Sequence, residues 1–167
     1  MRPLPVALLS AALLPLFTLA CGGGGGGSSS GGNGGGGGIP GTTCPTPTVI
    51  TNPKFATDIL PALQSGCSSD ATSCHGGTTP GGHISYSTDG GRTASDVLFD
   101  LLNRAPSAPS GYSFVKPGDV SKSWIIEKVT SDNPGGGFGG RMPAGKPNLC
   151  TPTVDTWKNW INAGCPP

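Results

Sequence analysis

The sequence predicts a small all-α domain, preceded by an export signal and a flexible linker. Three observations predict it. Four segments repeat apolar residues at the helical period, each bounded by residues that start or stop helices. The stretches between them are turn material, such as "TTPGGH", "TDGGR" and "NPGGGFGG". No run alternates apolar and polar residues as a half-buried strand does.

The first segment is "NPKFATDILPALQSG". Asn52 is the expected cap and Pro53 the first helical residue, with Phe55, Ile59, Leu60 and Leu63 on one face. Pro61 lies inside the segment and predicts a kink or a break, because it removes an N–H and crowds the preceding turn. Gly66 ends the segment, directly before Cys67. The second segment, "TASDVLFDLLNRA", takes Thr93 or Ser95 as cap. It turns Val97, Leu98, Leu101 and Leu102 inward and stops before Pro106. The third, "DVSKSWIIEKVT", buries Trp124, Ile125 and Val129. The fourth, "TPTVDTWKNWINAG", opens on Thr151 and Pro152, lines Val154, Trp157, Trp160 and Ile161 along one stripe, and closes at Gly164. The aromatic residues read as core rather than as a binding surface.

Residues 1–20 are not part of the fold. Arg2 is the one charge ahead of an apolar run from Leu4 to Leu19, and Ala20 precedes Cys21. This is the plan of a secretory signal with a small residue at the cut. The run is short for a membrane span and carries Pro5 and Pro15, with Pro3 just ahead of it. The position of Cys21 resembles that in bacterial lipoprotein signals, which implies that Cys21 becomes the acylated first residue of an exported, membrane-anchored protein, periplasmic or at the cell surface. The alternative is an ordinary signal ending Thr18-Leu19-Ala20. Residues 21–50 read as linker. Gly22 to Gly38 is almost pure glycine and serine, a flexible coil reaching about 23 Å, and a Pro/Thr-rich lead-in follows. The folded domain is expected over 51–167.

Composition narrows the function. The chain has 30 Gly and 18 Pro, and only 6% aromatic and 11% charged residues. A domain of this size buries about two thirds of its unfolded surface, so disulfides, a metal or a cofactor would add needed stability. Without Arg2 the nine remaining basic residues balance the nine acidic ones. No basic stripe for nucleic acid is present. No nucleophile–base constellation marks an enzyme, so none is expected.

Taken in order, the segments carry a resemblance. A helix leads into "CSSDATSCHGG", two helices follow, and then come "GGRMPAG" and a last helix with "NWINAG". This order resembles the class I cytochrome c domain, and more closely the divergent cytochrome-c-like modules of bacterial surface proteins. In those, "F…ILPAL…C…CHGG", "KPGDVSKSW" and "MPAG…W…WINAGC" recur, and the similarity spans about Phe55 to Cys165. The resemblance implies covalent haem c, with Cys67 and Cys74 as the thioethers, His75 as the proximal axial ligand and Met142 as the distal one. Such His/Met ligation is a cytochrome c arrangement. It implies electron transfer with a redox partner protein and membrane attachment through the lipid on Cys21. The glycines from Gly135 to Gly140 would let backbone lie against a flat macrocycle.

One departure stands out. The haem-attachment motif is C-x-x-C-H, and here six residues separate the cysteines. Six serve only if four of them loop out. The alternative is a haem-free structural or interaction module with a Cys67–Cys74 disulfide, which would close a loop of about eight residues worth about 2.5 kcal/mol. A zinc site of Cys67, Cys74, His75 and His83 has suitable ligand types but no recognised spacing, and His83 alone reads as a loop residue facing solvent. Cys150 and Cys165 are separated by a helix of about ten residues, some 15 Å, beyond disulfide reach. Cys44 is therefore expected to pair with one of them, Cys165 by preference.

Overall fold

A computed structural model describes residues 44–67, 74–77, 80 and 83–167; Cys21 and the signal and linker sequences around it lie outside the described residues. Among the described residues there are four α-helices and no strand. The helices are α1 (Leu60–Cys67), α2 (Ala94–Asn103), α3 (Trp124–Thr130) and α4 (Thr151–Asn162). None is long and apolar enough to cross a membrane. The all-α prediction holds for this part of the chain.

The expected break at Pro61 takes a specific form. A π-helical turn over Phe55–Ile59 runs straight into α1. In it the Ile59 amide reaches back five residues to the Lys54 carbonyl. A π-turn widens the helix locally, and here it accommodates the proline that a regular turn would exclude. Asn52 does not cap the element. The capping position falls to Lys54, whose amide is taken by the Asp58 carboxylate at 2.8 Å. Gly66 lies within the last turn rather than after it.

The second helix begins as expected at Thr93. Its hydroxyl accepts from the Asp96 amide while the Asp96 carboxylate accepts from the Thr93 amide, a reciprocal capping box. Val97, Leu98 and Leu101 are buried, and Leu102 is partly so. Ahead of α3, the "KPGDVSKSW" stretch is a structural turn. Asp119 accepts from the Lys122 amide, and the buried Ser123 hydroxyl bonds the carbonyls of Lys116 and Asp119. The backbone then pairs Trp124 with Ser113 and Ile125 with Phe114, which orients Trp124 inward.

The core has one tightly filled end. Phe55 and Ile59 of the π-turn, which touches α4, share the core with Val154, Trp157, Trp160 and Ile161 of that helix. The Phe55 and Trp160 rings lie 5.5 Å apart. The Pro166 carbonyl accepts from both the Phe55 amide and the Trp160 indole N–H, joining the two ends of the domain. Residues 44–50, expected as lead-in, are laid along α4: Thr46 bonds Thr153 and Ile50 bonds Thr156.

Candidate functional site

Away from that filled end the helices leave a cavity of about 550 Å³, within the range of small-molecule and cofactor sites. His75 lines one part of it and Met142 another. Cys67 and His83 also line it, with Tyr86, Phe114, Trp124, Ile125 and Val129 as apolar wall. Of the residues singled out in the sequence, the fold therefore brings Cys67, His75 and Met142 to one space. Cys74 is not among the lining residues.

His75 is positioned by backbone. Its Nδ1 lies 2.9 Å from the Ile84 carbonyl oxygen. A carbonyl can only accept, so Nδ1 carries the proton and Nε2 holds the basic lone pair. That is the arrangement in which an imidazole serves as a metal ligand. The ring stacks on Tyr86, 4.7 Å between centroids and 22° between planes, and the Tyr86 amide donates to the His75 carbonyl at 2.7 Å. Burial holds His75 below the ordinary histidine range. The Ile84 bond partly opposes this, and the Lys128 charge adds to it. A neutral ring follows.

The segment that supplies Ile84 and Tyr86 is itself held from two helices. Gln64 of α1 donates to the Tyr86 carbonyl at 2.9 Å. Arg92, just before α2, donates to the carbonyls of Ser85 and Ser87 and pairs with Asp100 at 2.7 Å. Burial raises the Tyr86 hydroxyl far above its ordinary value, so it stays protonated.

The widened cysteine gap closes on itself. The His75 amide donates to the Cys67 carbonyl at 3.3 Å. In a C-x-x-C-H segment the histidine follows the first cysteine by four positions, the reach of one α-helical hydrogen bond. Here the same closure spans eight positions, so four residues are surplus to the turn. Residues 68–73 lie outside the described residues. Burial pushes the Cys67 thiol up to about 11, against a small opposing pull from Lys146.

Two expectations about sulfur need correction. Cys67 keeps a free thiol, and Cys74 forms a disulfide that does not involve it. The Cys67–Cys74 disulfide is therefore absent: the first thiol is turned to the buried cavity, which the second does not line. Nor does Cys44 form the disulfide expected with Cys150 or Cys165: all three keep free thiols, and the neighbour of Cys44 is Cys150, not the preferred Cys165. The zinc quartet is not assembled either, since among the described residues no group of three or more His, Cys, Asp or Glu could hold a metal ion.

The Met142 side is held by Lys128 of α3, a residue the sequence reading passed over. Its carbonyl accepts the Met142 amide at 2.6 Å, and its ammonium donates to the Gly140 carbonyl at 2.6 Å and to Phe138 at 3.3 Å. Partial burial holds the Lys128 amine below its usual range. The glycines divide by role. Gly137 and Gly139 do line the cavity. Gly135 serves the protein instead: with φ +58°, a Cβ there would lie 2.6 Å from Pro109 and 3.0 Å from Trp124. The available sequence signal for Lys128 was its place four residues after Trp124 on an otherwise buried helix face. Trp124, read as core, is both buried and a wall of the cavity. His83 is exposed at the rim, as a loop residue facing solvent should be.

No family model, curated protein or solved structure matches the chain.

Proposed function

We propose that this chain is an exported, lipid-anchored electron carrier with a cytochrome c-like domain that binds haem covalently. One observation carries the reading: His75, Met142 and Cys67 meet in a single cavity, walled by aromatic and aliphatic side chains, although 67 positions separate the histidine from the methionine in the sequence. His75, Met142 and Cys67 fit the group, whereas Cys74 does not line the cavity and would have to turn toward it. The Nδ1 bond to Ile84 gives His75 the ligating tautomer, and burial keeps its ring neutral. Met142 supplies a thioether, which in His/Met ligation raises the reduction potential.

Haem supplies the one-electron redox chemistry; the chain holds and tunes it. His75 and Met142 would hold the haem iron, and Cys67 and Cys74 would be its thioether positions, Cys74 only after its disulfide is reduced. Tyr86 and Ile84 fix the histidine ring. Lys128 fixes the loop that carries the methionine. The apolar wall excludes water and lowers the local dielectric, a lever on the potential. Cys21 carries the lipid, and the Gly/Ser coil tethers the domain at the membrane, where a redox partner meets it.

The test is the absorption of the mature protein made in a host with working haem-attachment machinery. A Soret-absorbing chromophore that survives denaturation and acid-acetone extraction is expected. A colourless product, alongside a control cytochrome that matures in the same cells, overturns the proposal.

A further inference from the structure

The lead-in is laced to α4 at four points. The Thr46 amide donates to the Thr153 hydroxyl at 3.1 Å, and that hydroxyl donates back to the Thr46 carbonyl at 3.1 Å. The Ile50 amide reaches the Thr156 hydroxyl at 3.0 Å, and the Asn159 side chain reaches the Ile50 carbonyl at 3.0 Å. This lacing sets residue 44 over the start of the helix, where Cys150 is the capping residue. Cys150 Sγ lies 3.8 Å from the Thr46 carbonyl oxygen and 3.3 Å from Thr153 Oγ1. Both cysteines are free thiols, and the Cys44 side chain is within hydrogen-bonding reach of Cys150.

We infer that Cys44 and Cys150 form a disulfide when the chain meets a disulfide oxidant, bolting the lead-in to the first turn of α4. The other candidate partner is out of reach. Cys165 is buried beyond the far end of the twelve-residue α4, about 18 Å along the axis. Cys44 is exposed and can be reached from solvent, whereas Cys150 is buried beneath it.

The two thiols are also unlike in acidity. Burial pushes Cys150 up, but bonds from Cys44 and Thr153 outweigh it and hold the group below the ordinary thiol range. Cys44 is raised by its bond to Cys150. The exposed Cys44 sulfur exchanges with the oxidant R–S–S–R, forming a mixed disulfide and releasing one RSH. The Cys150 thiolate then attacks the Cys44 sulfur, the mixed S–S bond breaks, and the second RS⁻ leaves and takes up a proton. Two electrons pass from the cysteine pair to the oxidant, and both protons leave with the two RSH. This chemistry is independent of haem, so a colourless protein would leave it standing.

The test uses the full chain equilibrated with oxidised glutathione, alkylated in denaturant without reductant, digested and weighed. The expected product is a peptide holding Cys44 joined to one holding Cys150. The pair is two hydrogens lighter than the separate peptides and comes apart on reduction. The same link should form in the Cys165→Ala variant. Both cysteines recovered alkylated, or Cys44 joined to a different cysteine, would overturn the inference.

Discussion

Trp160 and Trp124 are the same side chain, buried to within 1% and 4% exposure, yet they sit in opposite settings. Trp160 is packed against Phe55, and its N–H is satisfied by Pro166. Trp124 turns toward a cavity, meeting Tyr112 and Phe138 edge-on and carrying the Lys128 ammonium 5.8 Å above its ring. Exposure alone does not separate a filled end from a hollow one. What separates them is whether the surrounding side chains close on one another or line an open space. The filled end even absorbs a defect: the buried Trp157 N–H lacks a partner among the described residues. Such an orphan costs about 1–3 kcal/mol. Burying an indole of 150–250 Å² returns about 4–6 kcal/mol at 25 cal/mol per Å², so packing wins.

The sharpest way to break this contrast is to cut one side chain at each end. Leu63→Ala, at a site with 0% exposure, should cost about 3 kcal/mol in urea unfolding, within the range for buried leucines. Phe138→Ala, on the cavity rim at 46% exposure, should cost less than about 1 kcal/mol. Equal losses would mean that the cavity wall is as tightly packed as the core around Leu63.

A finer comparison lies within the glycine loop. Gly135 and Gly136 both have positive φ, +58° and +72°, but only Gly135 has neighbours where a Cβ would go. Gly136→Ala should cost about 1 kcal/mol, the left-handed penalty alone. Gly135→Ala adds a clash with Pro109 and Trp124, raising the loss by about 1–3 kcal/mol. Denaturant midpoints of the two variants measure the difference directly, and coincident midpoints would show that the Pro109 contact yields.

The smallest expected effect concerns pH. Burial pushes the Cys165 thiol up to about 12 from its ordinary 9.0. The folded chain therefore holds this proton where the unfolded chain releases it. The associated stability is complete below pH 9.0 and is lost as pH rises toward about 12. Cys165→Ala should flatten the fall in urea midpoint between pH 8 and about 10.5. An unchanged slope would assign the alkaline loss to other groups.

Much of this architecture was legible in the sequence, for local reasons. Thr93 with Asp96 marks the start of α2 because a capping box is made within four residues. The stripe from Val154 to Ile161 marks α4 because its period is that of one helix. Pro61 was read correctly as an irregularity, but its resolution as a π-turn depends on how Phe55 and Ile59 pack against α4. The cavity was only half legible. His75 and Met142 announced themselves by type and order. The Ile84 carbonyl, the Tyr86 ring and the Lys128 clasp did not, because backbone acceptors leave no mark on a sequence and each acts across a fold contact. Cys44 was expected to be bonded to Cys150 or Cys165, the latter by preference; all three are free thiols, and only the Thr46–Thr153 lacing shows that Cys44 lies at the Cys150 end.

Lys128 fastens the methionine loop with two unlike parts, an ammonium that a substitution removes and a main-chain oxygen that every residue type possesses. Losing the first therefore cannot cast the strap adrift. The strap would still be held at residue 142, by the Arg141–Asp132 ion pair and by Phe138 against Trp124, so the mouth of the chamber can loosen while the sulfur beside it stays in place.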